Sequence, residues 1–222
     1  MIPPTVGLLF TSVTTVMNVQ RLNRLRHWIF DMDGTLTVPS HDFPYMRRQL
    51  GMAEGDLDIL AYVARHNEAE AAQMNQWLWD YEVDLAENAE PATGAADLVQ
   101  HLHEQERKLA ILTRNDKKLA LITLQAIGLL HYFDESVILG RDEAAPKPHP
   151  AGIDHILQHW QANSDDAIMV GDYEYDLSAG RSAGVHTLLV HPKANHWPEL
   201  SDYYFEHCGG VLSSMVQGVE IK

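Results

Sequence analysis

Two carboxylates, Asp31 and Asp33, stand at the end of the apolar run Trp28-Ile29-Phe30 and are followed by Gly34-Thr35. The run has the composition of a short buried strand. Carboxylates at the end of such a strand are costly to bury unless they are paired or hold a metal ion. Residues two apart point the same way along a strand. If the chain leaves the strand after Asp31, Asp33 can curl back so that both carboxylates face one small volume. One can then attack as a nucleophile while the other moves a proton, and a divalent cation can screen their repulsion. A polar turn capping a strand would use the same residue types, so the rest of the chain has to decide.

Further polar signatures follow. Leu112-Thr113-Arg114-Asn115 closes another apolar run directly before a helical stretch. A hydroxyl beside free helix N-terminal amides makes a phosphate cradle, although Thr113, Asn115 or Asp116 could each serve as a simple helix cap. Lys147 lies between prolines in Pro146-Lys147-Pro148-His149-Pro150. The fixed backbone there holds its ammonium for a point-charge contact to phosphate or to a carboxylate. Gly171-Asp172 ends a further apolar run, and Asp176 stands four residues on, at the start of a helix. Carboxylate oxygens so placed are hard ligands suited to Mg2+, and they also suit a helix N-terminus through its dipole. Each signature has a bland explanation alone. Their joint order, each at the carboxyl end of its own expected strand, is that of a phosphoryl-transfer site.

The elements that must position these groups alternate. The pattern predicts strands at 28–30, 109–112, 136–139, 167–170 and 185–190, and helices at 94–106, 116–127, 150–161 and 175–183. Short apolar strands alternating with amphipathic helices make a parallel sheet covered on both faces, an α/β Rossmann-like fold. Residues 39–90 differ: Leu57, Leu60, Ala61 and Ala64, then Met74, Trp77, Leu78 and Tyr81, recur at helical spacing with little β-branched content. Two or three helices inserted after the first strand are expected there. The expected division is therefore 1–27 as an N-terminal extension, 28–38 with 91–222 as the core, and 39–90 as a small helical insert. Within the insert Arg47, Arg48, Arg65 and His66 are possible anion contacts, while Trp77 and Trp79 read as its core.

Composition narrows the function. Over 222 residues the formal net charge is −15, from 31 acidic and 16 basic residues. No basic stripe exists to neutralise nucleic-acid phosphates, so no nucleic-acid partner is expected. Cys208 is the only cysteine, which excludes an internal disulfide and suits a reducing cytoplasm. His155 and His159 share a helix face but lack a third ligand at zinc-site spacing, so they read as solvent-facing. Residues 5–16 are apolar but too short to span a bilayer, and no membrane partner is expected.

The whole set resembles the haloacid dehalogenase superfamily of phosphohydrolases, on Asp31-Met32-Asp33-Gly34-Thr35, Thr113, Lys147 with its Lys-Pro-x-Pro context, Gly171-Asp172 and Asp176. The likeness runs from residue 28 to about 205 and is nearest the phosphoglycolate phosphatase-like branch, with Asp202-Tyr203-Tyr204-Phe205 as a late strand and residues 39–90 as the cap. It implies a Mg2+-dependent phosphatase acting on a small phosphorylated metabolite through an aspartyl-phosphate. Asp31 would be the nucleophile and Asp33 the general acid and base, its main-chain carbonyl touching Mg2+. Thr113, Asn115 and Lys147 would hold the phosphoryl group, with Lys147 neutralising charge. Asp172 and Asp176 would complete the metal site. Apart from the resemblance, the place of Arg114 beside the phosphate cradle makes it the expected contact for a substrate carboxylate or second phosphate. The resemblance also admits a β-phosphoglucomutase-like sugar phosphomutase, and a non-catalytic interaction module stands as the remaining alternative. A monomer or homodimer is expected. Thr37-Val38-Pro39-Ser40 stands where many relatives have an acidic residue.

Overall fold

The computed structural model describes residues 21–217, so the apolar stretch 5–16 lies outside the described residues. Six parallel strands form one sheet in the order β3-β2-β1-β4-β5-β6, where β1 is His27–Phe30, β2 Lys108–Leu112, β3 Ile138–Leu139, β4 Ala167–Gly171, β5 His186–Val190 and β6 Tyr203–Phe205. Parallel strands are buried on both faces, which explains their near-continuous apolar runs. The two faces carry separate cores. Trp28, Phe30, Ile111 and Val170 point to one side, and Ile29, Ala110, Leu112 and Met169 to the other.

Helices α4 (Ala95–Glu104), α5 (Lys117–Ala126) and α8 (Cys208–Gln217) cover the first face, through Leu98, Leu102, Leu124 and Val211 among others. Helices α6 (Ala151–Trp160) and α7 (Glu174–Ser182) cover the second, through Ile153, Ile156 and Ala179. Leu22 and Leu25, from the segment expected to be an extension, are also buried in the first core.

Three helices lie between β1 and α4: α1 (Phe43–Gln49), α2 (Ile59–Val63) and α3 (Glu68–Glu87). They share a small core of Met46, Leu50, Val63 and Leu78. Trp77 packs against it, stacked on Tyr81 at 5.4 Å. Each helix starts at an Asx cap: Asp42, Asp58 and Asn67 accept from the backbone N–H three residues on. The chain leaves and re-enters the sheet layer along one narrow strip, where Val38 N–H donates to Glu90 and Ala92 N–H to Leu36. The long helix α3 packs along α5, so the insert overhangs the β2 side of the sheet.

Two elements depart from expectation. Ser136-Val137 belong to a 3-10 turn, Glu135–Val137, and only Ile138–Leu139 pair as a strand. Asp134 causes this, because its carboxylate accepts from both the Ser136 N–H and hydroxyl and holds the turn. The second departure is α8, which the sequence did not signal.

Candidate active site

The four strands β3, β2, β1 and β4 are neighbours, so the loops leaving their carboxyl ends crowd together over β1. In open parallel sheets ligands bind at this edge, where consecutive crossovers run to opposite sides. Asp31 is the first residue past β1, and its N–H still donates to Val170 of β4. The chain then turns sharply. Met32 C=O accepts from the N–H groups of Thr35, Leu36 and Thr37, and Gly34 adopts φ +88°. That left-handed conformation favours glycine, and a second reason reinforces it: a Cβ on Gly34 would stand 2.3 Å from Asp172 Oδ2. The loops after β1 and β4 are thus in direct contact at the Asp172 carboxylate.

Asp31, Asp172 and Asp176 each offer a carboxylate oxygen, and these atoms all lie within 4.8 Å of one another. Lys147, only 3 % exposed, reaches into the cluster. Its ammonium donates to Asp31 Oδ1 and stands 2.6 Å from Asp176 Oδ1. Burial alone would lower the Lys147 pKa, but Asp176 and Asp31 raise it above its ordinary value. Asp172 is pushed up to about 7 by burial and by the charges of Asp31 and Asp176. Asp176 is also raised, first by burial and then by Asp31, against the pull of Lys147. A lysine contact normally lowers a carboxyl pKa. Here burial, with Asp31 adding to it, outweighs the pull of the single ammonium.

Asp33 leaves the turn beside this cluster, with His41 Nδ1 4.0 Å from its Oδ1. Although 36 % of its side-chain surface reaches solvent, the crowding around its carboxyl raises the pKa, aided by Asp31 and opposed by His41, Lys147 and Asn115. Thr113 is the first residue past β2, tied to the sheet by its N–H to Leu139 C=O, and its hydroxyl accepts from Asn115 N–H. The cap of α5 is Asp116, which accepts from Lys118 N–H. Thr113 and Asn115 are therefore not consumed in capping the helix. Arg114 is exposed at the mouth, its guanidinium 4.9 Å from the centroid of the Tyr175 ring.

The sequence-derived residues Asp31, Asp33, Thr113, Asn115, Lys147, Asp172 and Asp176 thus come from four loops to one edge of the sheet. Two insert residues named as anion contacts do not join them. Arg65 pairs with Asp56 and lies over Tyr62, and His66 Nδ1 contacts Tyr62 C=O. His155 and His159 are both exposed. Residues the sequence did not single out stand near the site: His41, Glu82 and Tyr175. Glu82 lies on α3 among the charges of Arg141, His41 and Asp33, and burial raises its pKa.

The donor set fits a divalent cation. Its oxygens are hard ligands, and the excess of two carboxylates over the one ammonium matches the charge of Mg2+. Gly34 is the cradle beside it that any Cβ would fill.

Comparison with known proteins identifies the family. The sequence profile described as haloacid dehalogenase-like hydrolase matches residues 52–190. A haloacid dehalogenase-like hydrolase domain-containing protein of Arabidopsis thaliana is 30 % identical over 190 residues, 79 % of this chain and 75 % of that protein. A phosphoglycolate phosphatase of Nitrosospira multiformis is 26 % identical over 216 residues, 87 % of this chain and 93 % of its own length. A crystal structure of a predicted phosphoglycolate phosphatase from Haemophilus somnus superposes with a TM-score of 0.70 at 20 % identity, over 86 % of this chain and 97 % of that one. With its parallel sheet and its carboxylate cluster at the end of β1, this chain belongs to the haloacid dehalogenase-like hydrolase family.

Proposed function

We propose that the protein is a Mg2+-dependent phosphatase that hydrolyses a small phosphorylated metabolite of the phosphoglycolate kind through an aspartyl-phosphate. The observation that carries the reading is the shared contact of Lys147 with Asp31 and Asp176, beside Asp172. It holds the Asp31 side chain in a volume where a phosphoryl group's charge can be met.

In the first step an Asp31 oxygen attacks phosphorus and the bond to the leaving oxygen breaks. Asp33 gives its proton to that oxygen, a role consistent with the crowding that keeps its carboxyl protonated to higher pH than usual. In the second step Asp33 takes a proton from water, which attacks phosphorus and frees Asp31. Thr113 and Asn115 hydrogen-bond the phosphoryl oxygens, and Lys147 neutralises them. Asp31, Asp172 and the Asp33 main-chain carbonyl, with Asp176 beside them, would hold Mg2+, which would supply the charge that lets an anionic nucleophile approach an anionic ester. The helical insert acts as the cap over the site. The reducing cytoplasm suits a chain with one thiol, and among the described residues no helix is long and apolar enough to cross a membrane.

The test is a panel of phosphate monoesters with and without Mg2+, run on the wild type and on Asp31→Asn. Phosphate release that needs Mg2+ and disappears in the folded variant supports the reading. Isomer interconversion without phosphate release would assign a mutase instead. Near-normal turnover by Asp31→Asn would remove the nucleophile assignment.

A further inference from the structure

We infer that Tyr175 positions Arg114 across the mouth of the site, and that the pair selects phosphate esters whose leaving group carries a second anionic group; the inference rests on the phosphatase reading above. Arg114 follows β2, and Tyr175 lies in the first turn of α7, after β4. In the sheet β1 runs between β2 and β4. Strands are about 4.8 Å apart, so a contact between these two loops spans roughly 10 Å, across the end of the strand that carries Asp31. The guanidinium completes the span, 4.9 Å from the Tyr175 ring centroid.

The ring is itself held. Tyr175 meets Tyr173 edge to face at 5.1 Å and 84°, and Tyr173 meets Trp197 at 5.2 Å and 74°. Both tyrosines are partly open to solvent, yet a guanidinium seated over a ring with aromatic neighbours gives up part of its side-chain freedom in advance, so an anion that binds it has less ordering to drive. Other arginines are engaged differently. Arg65 pairs with Asp56, Arg181 with Asp202, and Arg141 lies close to Glu82. Among the described residues no carboxylate forms an ion pair with Arg114; its neighbour is an aromatic face, and the side chain is exposed beside Thr113.

Charge makes this placement consequential. The protein carries a formal −15, and the carboxylates below the mouth outnumber their lysine. A second anion on the substrate would be repelled there unless a cation were fixed near the leaving group. Arg114 is that cation, with Tyr175 its support.

The experiment compares 2-phosphoglycolate with 2-hydroxyethyl phosphate, esters of like length with and without a carboxylate, in the Mg2+-supplemented full-length protein. A charge-assisted hydrogen bond predicts roughly ten- to hundredfold higher kcat/KM for the acid in the wild type. Arg114→Met should abolish that ratio. Tyr175→Leu should reduce it severalfold, through KM for the acid rather than kcat, and Tyr175→Phe should restore it because the ring remains. The ratio is the readout, so a general loss of activity or of folded protein does not mimic the result. Equal kcat/KM for the two esters in the wild type, or a Tyr175→Leu ratio equal to that of the wild type, overturns the inference. A ratio lost as fully in Tyr175→Phe as in Tyr175→Leu overturns the role of the ring. Release of phosphate from 2-hydroxyethyl phosphate with no preference for the acid leaves the phosphatase reading standing and removes this one. No release from either ester or from p-nitrophenyl phosphate removes both.

Discussion

Lys147→Met tests the electrostatic balance of the site directly. The ammonium is 3 % exposed and contacts two carboxylates, with Asp176 Oδ1 at 2.6 Å. At an effective dielectric of about 20, one such contact is worth about 6 kcal/mol before desolvation is counted. Removing one partner of a buried ion pair costs about 3–5 kcal/mol net, because the remaining charge is stranded. For a chain of this size each kcal/mol moves Tm by about 2–4 °C, so the variant should melt about 6–20 °C below the wild type. Asp31, Asp172 and Asp176 would then face one another with no cation between them. Millimolar Mg2+ should therefore raise the Tm of the variant more than that of the wild type, while activity stays lost. Differential scanning calorimetry with and without Mg2+ reads both effects. A variant melting within about 2 °C of the wild type, or one no more responsive to Mg2+, would refute the claim that the carboxylates outnumber their charge partners.

Other changes have equally definite outcomes. Asp33→Asn should lower turnover of alkyl phosphates by about 10²–10⁴, with a smaller loss for p-nitrophenyl phosphate, whose leaving group needs no proton; equal losses on both would exclude Asp33 as the acid. Gly34→Ala places a methyl 2.3 Å from Asp172 Oδ2 at φ +88°. Backbone strain of about 1–2 kcal/mol and a displaced carboxylate should lower Tm by a few degrees and activity about a hundredfold, as phosphate-release assays would show. Asp202 is held down at about 2, because hydrogen bonds from His186, Thr187 and Arg181 outweigh the effect of burial. Its folded pKa lies below the unfolded 3.8, so its stabilisation is present above pH 4 and lost as pH falls towards 2. The full shift corresponds to about 2 kcal/mol, discounted to about 1 because 28 % of the side chain is exposed. Asp202→Asn should lose that amount at pH 7 and flatten the acid limb of the stability curve; an unchanged limb would show that the carboxylate contributes nothing.

What the sequence disclosed followed from burial. Apolar runs such as Ala167-Ile168-Met169-Val170 admit one environment, a parallel strand covered on both faces, and polar groups that close such runs must gather at the carboxyl edge. Asp31, Thr113 and Asp172 were legible for that reason, and Lys147 because prolines flank it. Features set by partners distant in sequence were not legible. Helix α8 contains Gly209, Gly210, Ser213 and Ser214, a poor apolar period, and it forms where it docks on α4. Gly94 and Gly209 there approach so closely that a Cβ on Gly94 would stand 2.3 Å from Gly209 N. Ser136-Val137 have strand composition, yet the Asp134 side chain offers the backbone a turn instead. The pairing of Arg114 with Tyr175 depends on strand order, which local pattern does not encode.

Cys208 has a practical corollary. Its sulfur is fully buried, its Sγ–H points to Thr35 C=O, and burial pushes the thiol up to about 12. Maleimide reagents attack thiolates, so they should pass over the native side chain at neutral pH. Cysteines placed at the exposed positions Gln73 on α3 and Glu104 on α4 would then be the only sites labelled. Paired spin labels there would report, on an otherwise unaltered molecule, how far the inserted helices swing from the sheet layer in solution.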